Sequence, residues 1–332
     1  MKLDARIYVA GHSGLVGSAL VRRLRAMGYS NIVTRTRSEL NLADQRQVHN
    51  FFMNEHPEYV FMAAARVGGI VANNSYPAEF IQQNLAIQLN VIDECWRSGV
   101  DRLIFLGSSC IYPRDCPQPI KEEYLLTGPL EPTNRPYAMA KIAGIEMCWA
   151  YNRQYGTRNL AVMPTNLYGP GDHYDLSNSH VLPALIRKAH EARIEQRQEL
   201  VVWGTGTPRR EFLYVDDMAD ACLFLANLPE SGFRSLVGSD SIAPLINVGY
   251  GSDLAIRELA ELIARLVGFE GKVTFDTSKP DGTPRKWLDS TRILQLGWKP
   301  TTSFEEGIRE TYKDFLKSHS SSESKFVISA AR

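Results

Sequence analysis

Four apolar runs in the first half of the chain lack a polar face: "RIYVAG", "YVFMAAA", "RLIFLGSS" and "LAVMPTNLYG". A further candidate, "NIVTRTR", follows the first of them. The stretches between them suit helices. After the first run, Leu15, Val16, Ala19, Leu20 and Leu24 recur at helical spacing, with Arg22, Arg23 and Arg25 between. Strands that are apolar on both faces and alternate with helices predict a doubly wound α/β architecture, a parallel sheet covered on both sides. In such sheets, ligands bind beyond the carboxyl ends of the strands. The run "RLIFLGSSCIYP" therefore stands out, because its apolar part ends in Gly107, Ser108, Ser109 and Cys110, where a binding crevice would lie.

The second half is less regular. "HVLPALIRKAHEARIEQRQ" and "IRELAELIARLVGF" read as amphipathic helices, and "LVVWG" and "KVTFD" as short strands. The expected division is residues 1–167 for the parallel-sheet domain, with a returning strand and helix near 211–229, and 168–317 for a smaller mixed α/β substrate domain. The serine-rich 318–332 has little to bury and is expected to be a mobile tail. Composition adds limits. Formal charge is zero and pI is near 7.1, so no general basic field favours nucleic acid or an anionic membrane. No apolar run reaches the ~18 residues of a membrane span, and Asp4 and Arg6 interrupt the start where a leader would be apolar. Five cysteines without a C-x-x-C pair suggest neither a disulfide framework nor a metal site. A reduced, cytoplasmic protein is expected.

Gly11, Gly14 and Gly17 form G-x-x-G-x-x-G between the first strand and the first helix. This pattern lets a pyrophosphate approach the unpaired N–H groups of a helix start, as in Rossmann-type dinucleotide sites. An acid at the end of the second strand would select NAD, whereas Arg35 and Arg37 stand there and Glu39 comes later, which favours NADP(H). "PYAMAK" places Tyr137 and Lys141 one helical turn apart. A lysine cation ~4 Å from a phenol contributes about 4 kcal/mol at an effective dielectric near 20, about three pKa units. Lys141 is thus expected to bring Tyr137 toward working pH, with Ser108 holding the carbonyl oxygen that Tyr137 protonates.

Glycine loop, strand-end serine and Y-x-x-x-K, in this order, resemble the extended short-chain dehydrogenase/reductase superfamily, whose members dehydrate, epimerise, decarboxylate or reduce. Cys110, two residues beyond Ser108, and His180, at a loop-to-helix junction, narrow the choice. A thiol and an imidazole could remove and return protons at carbons beside a ketone. The strings "AGHSGLVGSAL", "RTRSELNL", "VGGIVANNSYPAEF", "LGSSCIYP", "LEPTNRPYAMAKIAG", "VMPTNLYGPGD", "SNSHVLPAL", "VVWGTGTPRREFLYVDDMA" and "KPDGTPRK" look more closely like the GDP-4-keto-6-deoxy-mannose 3,5-epimerase/4-reductases, which make GDP-L-fucose. That resemblance implies a homodimer using NADP(H) and a GDP-sugar, with Ser108, Tyr137 and Lys141 for reduction and Cys110 with His180 for epimerisation. It implies cofactor contacts at Gly11, His12, Ser13, Gly14, Leu15, Val16 and Gly17, then Arg37, Asn41 and Leu42. Further contacts are implied at Leu106, Gly107 and Ser109, at Pro164, Asn166 and Leu167, and at Lys141 and His180. Nucleotide-sugar contacts are implied at Lys188, Trp203, Arg210 and Asp281. Lys188 departs from members that carry arginine there, keeping the charge but losing the bidentate fork. The triad alone also suits a 4-epimerase, a 4,6-dehydratase or a cofactor-sensing regulator.

Overall fold

The computed structural model describes residues 1–176, 179–279 and 281–329. The chain starts with β1 (Ile7–Ala10), β2 (Ile32–Val33), β3 (Tyr59–Met62), β4 (Arg102–Leu106) and β5 (Asn159–Pro164). It continues through β6 (Asn166–Tyr168), β7 (Glu199–Trp203), β8 (Arg209–Tyr214) and β9 (Leu245–Val248), and ends with β10 (Asp253–Ala255), β11 (Lys272–Asp276) and β12 (Arg285–Lys286). A six-stranded parallel sheet has the order β2-β1-β3-β4-β5-β9. Its central strands are buried throughout, which is why they read as unbroken apolar runs. One hydrophobic cluster packs helices Leu15–Ala26 and Val215–Ala226 on one face, and a second packs Gln45–Glu55, Pro77–Arg97 and Arg135–Tyr155 on the other.

The predicted run "LAVMPTNLYG" is two strands. After Pro164 the chain leaves the large sheet, and after the single residue Thr165 it enters a second sheet, where β6 pairs parallel with β8. Strand β8 also pairs antiparallel with β10 and parallel with β12. A separate parallel pair joins β11 to β7. The returning segment near 211–229 thus divides. Its helix Val215–Ala226 packs on helix Leu15–Ala26 as expected, but its strand belongs to the second sheet. The sixth strand of the large sheet is instead β9, which the sequence reading missed. A third core cluster lies between helices Val181–Ile194 and Ile256–Val267 and the start of the last helix. That last helix, Phe304–Ser329, continues into the serine-rich segment, and residues 330–332 of the expected tail lie outside the described residues. No helix among the described residues is long and apolar enough to cross a membrane.

Candidate active site

The glycine loop is built as close packing requires. Gly11 has φ +81°, and a Cβ there would lie 2.7 Å from the Ala64 nitrogen. A Cβ on Gly17 would collide with the Gly11 carbonyl. The loop therefore lies against β3, and Gly14 caps helix Leu15–Ala26 without a side chain to cover the helix's free N–H groups. Ser13 and Gly14 are exposed, whereas Leu15 and Val16 turn partly into the core. His12 contributes a buried Nδ1 that has no hydrogen-bond partner among the described residues. An uncovered helix start, an orphaned ring nitrogen and a cradle that a methyl group would fill fit a dinucleotide's phosphates.

The expected pair of 2′-phosphate ligands reduces to one. Arg35 is paired with Glu55, donates to the Thr34 carbonyl at 2.8 Å and lies 5.6 Å from the Phe51 ring centroid. Glu39 is folded onto its own turn, accepting from the Thr36 nitrogen and hydroxyl at 2.7 Å each. Arg37 is exposed and has no partner among the described residues. Asn41 accepts from the Ala43 nitrogen at 3.2 Å, and the Leu42 carbonyl accepts from Asn90 at 2.9 Å, which fixes the loop that carries them. Arg37→Ala is expected to lower the preference for NADPH over NADH, as a ratio of kcat/KM values, by about 10- to 100-fold. That corresponds to the loss of one charge-assisted hydrogen bond of about 1.5–3 kcal/mol. An unchanged ratio would remove Arg37 from cofactor selection.

Beyond β4 the backbone turns into a short 3-10 helix, Ser109–Ile111, with Ser108 at its N-cap. The Ser108 Oγ accepts a long bond from the Cys110 nitrogen at 3.4 Å, and the side chain also bonds to Tyr137. Ser109 and Cys110 are buried, and Gly107 is tied to β5 through the Val162 carbonyl at 2.9 Å. Tyr137 lies in the first turn of helix Arg135–Tyr155, where Pro136 is tolerated, and its ring meets Phe80 edge-on at 6.3 Å. The strand-end serine, the thiol and the phenol thus converge.

The expected action of Lys141 on Tyr137 is corrected. Burial first, then the nearby Cys110, push the phenol above its ordinary range, while the Ser108 bond opposes them. The Lys141 Nζ is turned away, donating to the Leu106 carbonyl at 2.7 Å and lying 4.8 Å over the Phe105 ring. It sits 5.9 Å from the Tyr137 ring centroid. Burial lowers the Lys141 amine to about 8, with Cys110 opposing it. Burial also raises the Cys110 thiol, and Lys286, Ser108 and Lys141 pull it back.

His180 is the N-cap residue of helix Val181–Ile194, but its side chain makes no capping bond. The ring keeps a solvent-facing edge, yet enough protein surrounds it that burial lowers its pKa, with Lys286 acting the same way. Asn166 anchors the loop after β5 by donating to the Glu211 carbonyl at 2.8 Å, with Pro164 and Leu167 on either side. On the same helix as His180, Lys188 lies 5.0 Å over the exposed ring of Trp203, at the end of β7. Lys279 reaches that ring at 5.7 Å. Asp281 accepts from the Thr205 nitrogen at 2.9 Å and hydroxyl at 2.7 Å, with Arg210 within electrostatic reach. The site residues thus form a reactive group at the end of β4 and a basic, aromatic group between β7 and β8. Sequence reasoning missed Lys286, which is in register with Arg210 and within electrostatic reach of Cys110 and His180, although "KPDGTPRK" ends on it.

These features are those of a nucleotide-dependent enzyme acting at a sugar ketone or hydroxyl, and the chain belongs to the NAD dependent epimerase/dehydratase family, whose profile matches residues 7–237. Within it, the chain is 55% identical over 312 residues to GDP-L-fucose synthase of Escherichia coli (strain K12), covering 94% of this chain and 97% of that one. It is 54% identical over 314 residues to GDP-L-fucose synthase 1 of Arabidopsis thaliana, covering 95% and 94%. Among solved structures it is similar to a GDP-D-glycero-L-gluco-heptose synthase from Campylobacter jejuni in the presence of NADPH. That match has a TM-score of 0.89 and 37% identity, covering 95% of this chain and 99% of the other.

Proposed function

We propose that the chain converts GDP-4-keto-6-deoxy-mannose to GDP-L-fucose, by inversion at C3 and C5 followed by reduction at C4. The observation that carries this reading is the meeting of Ser108, Cys110 and Tyr137 at the end of β4. A reductase needs the serine and the phenol, and the buried thiol beside them adds a group suited to moving a proton on carbon.

The 4-keto group acidifies the hydrogens on C3 and C5. Cys110 and His180 take and return those protons, and Ser108 stabilises the enolate oxygen between the transfers. The glycine loop, Arg37, Asn41 and Leu42, the strand ends at Leu106–Ser109 and Pro164–Leu167, and Lys141 would hold NADPH, which would supply the hydride for C4. Tyr137 then protonates the C4 oxygen. Burial keeps the phenol neutral, so its proton is in place throughout the working range, although a raised pKa makes it the weaker acid. Lys188 and Arg210 meet the diphosphate, with Trp203 and Asp281 at the nucleoside end.

In the same reading, residues 1–167 hold the cofactor and 168–317 the sugar nucleotide. The chain works in the cytoplasm as a homodimer, with no nucleic-acid or membrane partner. Zero formal charge agrees with the absence of such partners, and exposed Leu85, Leu89 and Met139 on helices Pro77–Arg97 and Arg135–Tyr155 offer an apolar face for a second copy. The test supplies GDP-4-keto-6-deoxy-mannose with NADPH and identifies the product. GDP-L-fucose is expected, with one NADPH consumed per sugar. A product unchanged at C3 and C5, or no consumption of NADPH, would overturn the reading.

A further inference from the structure

Strand β8 carries Arg210 between two residues that face the other way. By alternation Arg209 and Glu211 share one side of the strand, and Arg210 takes the opposite side. The Arg210 guanidinium donates to the Arg209 carbonyl at 2.8 Å, and a Cβ on Gly282 would lie 3.0 Å from its other terminal nitrogen. Its place is therefore set by the backbone of β8 itself. That backbone is held from the side away from Arg210. Asp253 of β10, in register with Glu211, accepts from Arg209 Nε at 3.0 Å and is also paired with Arg285 of β12.

Glu211 is fully buried, and its two ends serve different parts of the molecule. Its carbonyl accepts from the Thr165 hydroxyl at 3.1 Å and the Asn166 side-chain nitrogen at 2.8 Å, on the way out of the large sheet. Its carboxylate reaches two other segments. The Gly251 nitrogen, beyond β9, donates to one oxygen at 2.8 Å, and the Leu288 nitrogen, beyond β12, to the other at 3.0 Å. A Cβ on Gly249 would lie 2.4 Å from the first oxygen, so the turn after β9 closes directly on the carboxylate. Leu288 is itself a fixed post. The Ile120 nitrogen donates to the Trp287 carbonyl at 2.7 Å, and the Asp289 nitrogen to the Ile120 carbonyl at 2.8 Å. A carboxylate is costly to bury unless donors meet it, so the fold keeps both N–H groups on this one.

We propose that Glu211 is a positioning residue for the sugar nucleotide: its carboxylate ties β8 to the turn after β9 and to the chain beyond β12, and so fixes where Arg210 meets the diphosphate. This rests on the reading of Arg210 as a diphosphate ligand, whereas the hold on β8 does not. The carboxylate acts on the nucleotide-sugar end alone. The bonds on the dinucleotide side go to the Glu211 carbonyl, which a side-chain substitution leaves in place.

The experiment titrates the full chain with GDP and, separately, with NADPH in a calorimeter, for the parent, Glu211→Gln, Arg210→Ala and the double variant. Glutamine keeps the shape of the side chain but offers one oxygen to two N–H groups. Glu211→Gln is expected to weaken GDP binding by about tenfold and to leave NADPH binding within about twofold. In the Arg210→Ala background, the same substitution should change GDP affinity by less than about twofold, an outcome that a general loss of stability would not produce. Equal GDP affinity in the parent and folded Glu211→Gln overturns the proposal. So does a loss of equal size for GDP and NADPH, or a fully additive loss in the double variant. Glu211→Asp, whose carboxylate falls one methylene short of both donors, gives the same test if the glutamine variant does not fold. GDP affinity that survives Arg210→Ala would instead defeat the underlying assignment of Arg210, since that variant leaves Glu211 intact.

Discussion

Tyr137→Phe is expected to lower NADPH-dependent reduction by about 10²- to 10⁴-fold, the usual contribution of a positioned general acid. Deuterium exchange at C3 and C5 should change only a few-fold. The substitution is clean because the ring's edge-on contact with Phe80 is kept and only the hydroxyl bonded to Ser108 is lost. The pH dependence follows from the neighbours. Burial keeps the phenol protonated well above neutrality but lowers the Lys141 amine beside it to about 8. Loss of the Lys141 proton removes the positive charge 5.9 Å from the ring that must become a phenolate, so reduction should decline as pH rises through about 8, and this decline should vanish in Lys141→Met, at a lower overall rate. NADPH oxidation by Tyr137→Phe within about threefold of the parent would show that another group delivers the proton.

Cys110→Ser is expected to have the complementary effect. A hydroxyl is a far weaker acid than a thiol and its conjugate base is correspondingly inaccessible, so exchange of solvent deuterium into C3 and C5 should fall by about 10²- to 10³-fold. The exchange is best read with the keto-sugar alone, which separates it from reduction. Serine is smaller than cysteine by little and is placed at a site already lined by polar groups, so the fold should tolerate it. The Cys110 nitrogen bond to Ser108 involves only backbone at this position and remains. If exchange at both carbons continues at the parental rate, the thiol has no part in the inversions.

Much of this arrangement was legible in the sequence, for identifiable reasons. Strands β1, β3, β4 and β5 are buried on both faces, so each wrote a continuous apolar run. The polar end of β4 could be singled out because it broke that pattern. Strand β9 was missed because its four residues, "LINV", follow a loop of serine, aspartate and proline with no flanking helix of the expected kind. Strand β8 was placed in the wrong sheet. Its apolar half resembles a buried parallel strand, and only pairing with β6, β10 and β12 reveals its true neighbours. Lys286 was illegible as a site residue because a lysine in a two-residue strand has no periodicity, and its importance comes from what tertiary pairing brings around it. The error over Lys141 has a similar origin: helical spacing places the amine near the phenol but says nothing of the Leu106 carbonyl that captures it.

The passage from β5 to β6 takes one residue, and Thr165 is buried there with its nitrogen bonded to Val248 at 3.1 Å and its hydroxyl to the Glu211 carbonyl, also at 3.1 Å. Pro164, on one side, borders the proposed dinucleotide, while Asn166, on the other, shares the Glu211 carbonyl with Thr165 in the strand next to Arg210. So short a passage leaves no slack. The end of the large sheet and the start of the second are therefore held in one fixed spacing by a single buried residue.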